Sequence, residues 1–257
     1  MSSHSIAFFF FCVSANIIVP AQTPVKKWDA SIAYGFSVPV SAFKKITPQK
    51  SIYYFTPFPD IDGFDKDGNS AAKNGTFGSF IVNYQVFHAW GVQLRLGYTN
   101  NSVHTEPITN YINDVMGSRY GFIFSVSNRD YSVSYASLGV GYTFYIDKVK
   151  FSMYPSLGMG LLAPPDYILL DETDPERLIP FSYEVDQNNI KSVLFGFSAS
   201  ILYNLSPQIF AGCEVDYNNS NFDYSLTRKA PGFDRIYKSD RVTYRVILIG
   251  ARVGFRF

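Results

Sequence analysis

Charged side chains recur at alternate positions within otherwise apolar segments of this 257-residue sequence. Arg252 and Arg256 alternate with apolar residues near the C-terminus, and Glu214 and Asp216 do the same in an earlier segment. A carboxylate beside a guanidinium forms charge-assisted hydrogen bonds, whereas either group buried without a partner is costly to desolvate. We therefore predict one buried charge network, with the members Asp29, Arg95, Lys150, Glu214, Asp216, Arg252 and Arg256.

An acidic stretch that reads DIDGFDKDGNS offers oxygen ligands at alternate positions. Oxygen ligands suit calcium, and Asp65, Asp67 and Asn69 would take the first, third and fifth positions of an EF-hand loop. That pattern requires Gly at the sixth position and Glu at the twelfth, but the sequence has Ser70 and Thr76 there. We therefore predict a solvated acidic turn and no cofactor, with a loose calcium site as the alternative.

Residues suited to nucleophilic catalysis are sparse in this sequence. His104 and Glu106 lie close together in the segment NNSVHTEP, and a His–Glu pair near a serine can activate a nucleophile. A lone histidine in a loop is usually a surface residue. We therefore predict a protein that is not an enzyme and has no catalytic residue, with a loop-borne lipid-modifying enzyme as the weaker alternative.

The elements that must position these charges are strands, because apolar residues repeat with a period of two. A strand points successive side chains to opposite faces, so each segment has one apolar face and one face of Gly, Ser, Asn, Gln and a few charges. Few helical patterns of useful length occur. The eight predicted strands are 28–40, 77–87, 92–99, 134–146, 149–161, 193–205, 208–217 and 243–257.

The connections between these strands alternate in length along the chain. The tight ones are 88–91, 147–148 and 206–207, and the long polar ones are roughly 40–76, 100–131, 163–191 and 218–241. In an antiparallel meander, alternate connections lie at opposite ends of the sheet. Four structureless loops of this length are unusual in a compact soluble domain, whereas outer-membrane barrels combine short periplasmic turns with long extracellular loops.

Strand length and loop asymmetry together favour a membrane barrel over a soluble sandwich. Strands of about 10 residues fit a tilted membrane crossing, and a barrel can span lipid because every backbone donor is paired internally. We predict an all-β, eight-stranded, antiparallel up-and-down transmembrane β-barrel with four long extracellular loops and short periplasmic turns. Rings with polar tips favour the membrane interface, and the residues predicted there are Trp28, Trp90, Tyr145, Phe255 and Phe257.

The N-terminal sequence and the net charge indicate where the protein is located. The apolar stretch from Ile6 to Val13, followed by Val19-Pro20-Ala21, predicts a signal peptide at residues 1–21 and a barrel domain at 22–257. The formal net charge of +1 gives no indication of nucleic-acid binding. We therefore predict an integral protein of the outer membrane of a Gram-negative bacterium.

The last residues, VGFRF, place a final Phe after alternating aromatic and apolar residues. This ending resembles the C-terminal signal of bacterial outer-membrane barrels, and the pattern of the chain over residues 22–257 resembles the small OmpA/OmpX-like outer membrane protein beta-barrel family, also described as porin family proteins. The VPAQT region is similar to exported proteins of Bacteroidetes-type bacteria. The resemblance implies insertion by the barrel assembly machinery, and it implies no single biochemical activity.

Several functions fit such a barrel at this point. We predict a non-enzymatic surface protein whose barrel anchors long loops for envelope integrity or for contact with lipopolysaccharide, a ligand or a partner. The alternatives are a small pore or a transport or secretion accessory with an unknown partner. The charge network then has three interpretations: a structural plug of the barrel interior, a gated or selective lumen, or a strand register that is off by one residue.

Overall fold

The structure is a computed structural model that describes residues 28–46, 70–87, 89–114, 124–165, 167–171, 181–185, 190–229 and 236–257. A 3-10 turn at Ser41–Phe43 follows the first strand, and helix α1 spans Thr105–Ile112. The strands are β1 (Trp28–Pro39), β2 (Ala72–Phe87), β3 (Trp90–Val103), β4 (Phe124–Asn128), β5 (Tyr131–Ile146), β6 (Val149–Ala163), β7 (Tyr167–Asp171), β8 (Phe181–Val185), β9 (Ile190–Asn204), β10 (Ile209–Lys229) and β11 (Ile236–Arg256).

Eight of these strands form a closed antiparallel ring. The order around the ring is β11-β1-β2-β3-β5-β6-β9-β10, and pairing of β10 with β11 completes it. Strands β8, β7 and β4 form a short sheet that continues from the far end of β10. The predicted eight-stranded up-and-down barrel is therefore confirmed, with each predicted strand at its predicted place in the chain.

One end of the barrel, called the turn end here, carries the short connections. The β5–β6 turn is Asp147–Lys148, and Asp147 adopts a φ of 52°, a conformation that two-residue hairpin turns require. The first and last described residues meet there, because Phe257 N donates to Trp28 O at 3.0 Å. The opposite end, called the loop end, carries the long connections. The ring strands have 12 to 21 residues, enough for a tilted crossing of hydrocarbon.

The outer wall of the ring is a belt of exposed apolar side chains. Alternation along each strand turns them away from the barrel interior, so residues such as Phe36 are 69% exposed and Val253 is 46% exposed. A water-soluble protein rarely exposes a continuous apolar surface of this size. No helix in the described part of the chain is long and apolar enough to cross a membrane.

The fourth long connection is not a structureless loop. Strands β10 and β11 have 21 residues each and stay paired from Ile209–Phe255 to Arg228–Ile236. Above the apolar belt their outer face carries polar residues such as Asn221 and Asp223. Loss of the apolar outer face is the reason that the sequence pattern indicated a loop. The second and third connections also contain structure, namely α1 and β4, and β7 and β8.

Candidate functional site

The centre of the barrel interior, or lumen, holds Glu214 between two arginines. Arg95 Nη1 lies 3.0 Å from Glu214 Oε1 and Arg95 Nη2 lies 3.2 Å from Oε2, which is a bidentate pair. Arg95 also pairs with Asp216. Arg252 Nη1 donates to Glu214 Oε2 at 3.5 Å. Glu214 is 1% exposed, so its charge is removed from water and depends on these donors.

The network continues across the lumen towards the turn end. Arg252 Nη2 lies 3.8 Å from Asp29 Oδ1, and Lys150 Nζ donates to Asp29 Oδ2 at 2.6 Å. Three cations thus face three carboxylates on strands β1, β3, β6, β10 and β11. Since every one of these six groups has an oppositely charged partner, the buried charges balance within the network.

Amides and hydroxyls extend the network towards β2, β3 and β9. Asn83 Nδ2 donates to Asp29 Oδ1 at 2.5 Å, and Gln93 Nε2 donates to Asn83 Oδ1 at 3.0 Å. Ser198 Oγ then donates to Gln93 Oε1 at 3.2 Å. These neutral groups occupy lone pairs and donors that the ion pairs leave open, as a buried polar network requires.

The structure places the seventh predicted member, Arg256, outside this network. It lies at the turn-end rim, where its Nη2 donates to Asn204 Oδ1 at 3.1 Å. Its guanidinium also lies 5.7 Å from the ring centre of Tyr145 and 5.8 Å from that of Phe210. Arg256 thus closes the rim through an amide and two aromatic rings rather than through a carboxylate.

Tyr145 is a correction to the predicted interface aromatics. It belongs to the inward-facing residues of β5 and lines a small polar recess at the turn end with Lys150, Tyr154 and Arg256. Its neighbour Phe144 points outward and stacks on Phe151, with ring centres 5.0 Å apart. The prediction for Tyr145 is wrong because nearness to a strand end does not determine which side of the wall a residue faces.

The other four predicted interface aromatics lie on the outer wall at the turn end. Trp28 is 45% exposed and Trp90 is 53% exposed, and each packs against a tyrosine of the neighbouring strand. Phe255 and Phe257 are 44% and 57% exposed, and their rings stack with centres 6.3 Å apart. Their position fits the proposal that this edge of the belt meets the membrane interface.

The half of the lumen nearest the loop end contains a large apolar core, which sequence reasoning missed, and buried polar side chains such as Ser37, Thr99 and Asn101 lie beside it. The sequence pattern predicts a polar inner face throughout, yet side chains from β2, β3, β5, β6, β9, β10 and β11 form a buried core there. The run Val246–Ile249 is the signal that could have revealed it, because an apolar run without alternation indicates a strand buried on both faces. The large fully buried members include Phe77, Ile81, Tyr131, Leu162, Phe222 and Tyr244.

Two connections at the loop end insert side chains into this core. Phe43, from the 3-10 turn after β1, is fully buried and meets the rings of Tyr131 and Tyr244 with centres 5.1 and 5.2 Å away. Ile108, from helix α1, is fully buried in the same cluster. The apolar core therefore joins the barrel to structure outside it.

Close packing of rings against glycine leaves little free space in the lumen. A Cβ on Gly97 would lie 2.2 Å from Cζ of Tyr135, and a Cβ on Gly254 would lie 2.3 Å from Cζ of Phe210. Each ring therefore needs a glycine on a neighbouring strand to lie flat across the interior. Narrow eight-stranded barrels are filled by such side chains rather than left open.

Several predicted features lie outside the barrel interior or outside the described residues. The calcium candidates Asp65, Asp67 and Asn69 and the signal peptide at residues 1–21 lie outside the described residues. Within the residues that the structure describes, no group of three or more His, Cys, Asp or Glu side chains is placed to hold a metal ion. His104 lies directly before α1, and its backbone N–H donates to Ala71 O at 2.8 Å.

The lumen as described contains a balanced ionic layer below an apolar layer. The ionic layer crosses the interior from β1 to β10, and the apolar layer covers it on the side of the loop end. An ion moving along the barrel axis would have to break buried ion pairs and then pass between the packed side chains of a mainly apolar core. This arrangement can brace the barrel wall.

Several solved structures of outer-membrane proteins match this chain. A major outer membrane protein from Thermus thermophilus is 11% identical, with a TM-score of 0.52, and the match covers 90% of this chain and 98% of that chain. OprG from Pseudomonas aeruginosa is 15% identical at a TM-score of 0.45, covering 90% and 98%. Ail of Yersinia pestis is 15% identical at a TM-score of 0.41, covering 90% and 99%. No protein-family model and no curated protein matches the chain. The first likeness shows that the chain has the fold of an outer-membrane barrel.

Proposed function

We propose that this protein is a closed, non-enzymatic barrel of the outer membrane of a Gram-negative bacterium that anchors a folded cap at the cell surface. The cap is the loop-end structure formed by the 3-10 turn at Ser41–Phe43, α1, β4, β7, β8 and the paired upper parts of β10 and β11. The observation that carries the proposal is the filled lumen, which has an ionic layer below and an apolar layer above. The exposed apolar belt supports a position within lipid, since burying it in hydrocarbon removes it from water. Export would depend on the predicted signal peptide at residues 1–21, and insertion on the barrel assembly machinery.

The cap is attached to the barrel by more than its chain connections. Ala71 N donates to Lys45 O at 3.1 Å, and Tyr131 OH donates to Ser70 O at 3.0 Å. Together with Phe43 and the paired upper parts of β10 and β11, these contacts hold the described part of the cap against the barrel. A cap that packs against the barrel and presents its outer surface to lipopolysaccharide or to a partner suits an anchor more than a channel gate.

A pore is the alternative that the filled lumen disfavours. We expect planar lipid bilayers that contain the purified protein to show no discrete channel openings, because the ionic and apolar layers block the axis in series. Insertion is verified on the same preparation by heat-modifiable gel mobility, since a folded barrel migrates differently before and after boiling. Reproducible current steps from protein that passes this gel control would contradict the anchor and favour the pore.

A further inference from the structure

Three cationic residues lie close together at the loop end of the seam between β11 and β1, where the 3-10 turn meets β11 above the apolar belt. The group formed by Lys44, Lys45 and Arg245 is called the basic seat here. Arg245 Nη1 donates to Ser41 Oγ at 3.3 Å. The backbone N–H groups of Lys44 and Lys45 both donate to Ser41 O at 3.2 Å. Ser41 thus contacts the backbone of both lysines and the guanidinium of Arg245, which places the three residues side by side.

The basic seat has no carboxylate partner among the described residues. Arg245 Nε donates to the neutral Asn219 Oδ1 at 3.1 Å, and no ion pair joins the seat to any carboxylate in the described ranges. Arg241, four residues nearer the loop end on the same face of β11, differs in that its Nε lies 2.5 Å from Asp223 Oδ1. Lys44 and Lys45 are exposed. Within the described ranges, the seat thus presents positive charge that no neighbouring carboxylate balances.

The height of the seat on the barrel identifies the kind of anion that it suits. Val40 N donates to Arg245 O at 3.0 Å, so the turn and Arg245 lie at the same level. Phe36 and Ile249 are paired in register and are 69% and 48% exposed on the outer wall below. Arg245 is four residues beyond Ile249, about 13 Å along the strand. The surface therefore changes from apolar to cationic within the depth of a lipid headgroup layer.

We propose that the basic seat binds the phosphate groups of an outer-leaflet lipid whose acyl chains lie against the belt at Phe36 and Ile249. This inference rests on the proposed function, because it requires the belt to lie in hydrocarbon. Cations at the surface of an anionic leaflet gain attraction over a Debye length, and each one contributes separately. The seat would hold one lipid in a fixed position beside the cap and would limit its exchange with the surrounding leaflet.

The test is a titration of the purified full chain in mixed detergent micelles with diphosphoryl lipid A, read by native mass spectrometry. The variant Lys44→Gln/Lys45→Gln/Arg245→Gln is expected to weaken binding by about tenfold or more, because three surface attractions are lost. Its matched control is Arg129→Gln/Lys148→Gln/Lys191→Gln, which removes the same charge from exposed cationic residues in or next to strands other than β11 and β1 and is expected to bind nearly as well as the unmodified protein. Equal weakening by both variants would replace the seat with a diffuse positive field and overturn the proposal.

Two further binding experiments use the unmodified protein, so their results do not depend on whether a variant folds. Lipid A stripped of its phosphates is expected to bind at least about tenfold more weakly, and equal binding would show that acyl chains alone account for the contact. Inorganic phosphate at matched ionic strength is expected not to displace diphosphoryl lipid A, and neither is heparin. Displacement by either would assign the seat to a soluble anion instead. The unmodified protein could fail to bind diphosphoryl lipid A while still showing heat-modifiable gel mobility and no channel openings. That result would reject the lipid-binding role of the seat and leave the proposed anchor function intact.

Discussion

Replacing Glu214 with alanine is expected to lower the free energy of unfolding by about 3–5 kcal/mol, because Arg95 and Arg252 would then remain buried without their shared carboxylate. Glu214 accepts from Arg95 at 3.0 and 3.2 Å and from Arg252 at 3.5 Å. The measurement is urea unfolding in lipid vesicles, followed by the fluorescence of Trp28 and Trp90, which lie on the outer wall and leave lipid when the barrel unfolds.

The control for this substitution is an ion pair of the same chemistry on the surface. Asp223 pairs with Arg241 at 2.5 Å, but the two side chains are 66% and 48% exposed. Asp223→Ala is therefore expected to cost about 0–1 kcal/mol. If Glu214→Ala and Asp223→Ala cost the same, the lumen network does not brace the barrel.

We expect the stability of the barrel to depend on the charge balance of the network rather than on any one of its contacts. The double variant Glu214→Gln/Arg95→Gln removes one charge of each sign and is expected to cost less than the sum of its two single variants. The same urea titration provides the comparison. Strict additivity of the two single costs would show that the groups act independently and that their balance has no effect on stability.

Replacing Val253 with arginine is expected to destabilise the barrel by about 2–4 kcal/mol, because it places a charge against lipid near the middle of the belt. Val253 is 46% exposed on the outer wall and is paired in register with Ile32, which is 60% exposed. Arg252, its neighbour in the chain, is tolerated because its side chain points into the lumen, where Glu214 accepts its hydrogen bond. The measurement is urea unfolding in vesicles of defined lipid.

The matched control for Val253→Arg lies near the edge of the belt. Val86 is 55% exposed and lies next to the turn end, where an arginine can reach the interface. Val86→Arg is therefore expected to cost about 0–1 kcal/mol. Equal costs at the two positions would show that exposure rather than depth in hydrocarbon determines the penalty, and the belt would then not be a membrane surface.

The sequence predicts the outer wall better than the interior, for a physical reason. Facing lipid requires apolar residues at every second position, so the eight strands and their phase follow from the sequence. The interior has no single requirement, since either paired charges or an apolar core can fill it. Glu214 and Arg252 could be placed at similar height by counting from the turn end, and the structure brings them together. The core around Phe77 and Phe222 has no comparable rule.

The corrections arise where the environment changes along a strand. The outer face of β10 changes from apolar to polar at Asn219, so its continuation to Lys229 resembles a loop in sequence. Tyr145 illustrates the second difficulty, since an aromatic near a turn fits both the interface and the rim of the lumen. The roles of Phe43 and Ile108 depend on how the connections fold back on the barrel, which no local pattern encodes.

The most direct test of the central claim is methyl NMR of the protein in nanodiscs that contain lipid with a spin label on the acyl chain. The claim predicts strong broadening of the outward methyls of Ile249 and Val253 and sharp signals from the inward methyls of Leu202 and Leu248. A water-soluble relaxation agent is expected to broaden neither set. Equal broadening of both sets by the lipid label, or broadening of Val253 by the water-soluble agent, would contradict a closed barrel whose apolar belt lies in hydrocarbon.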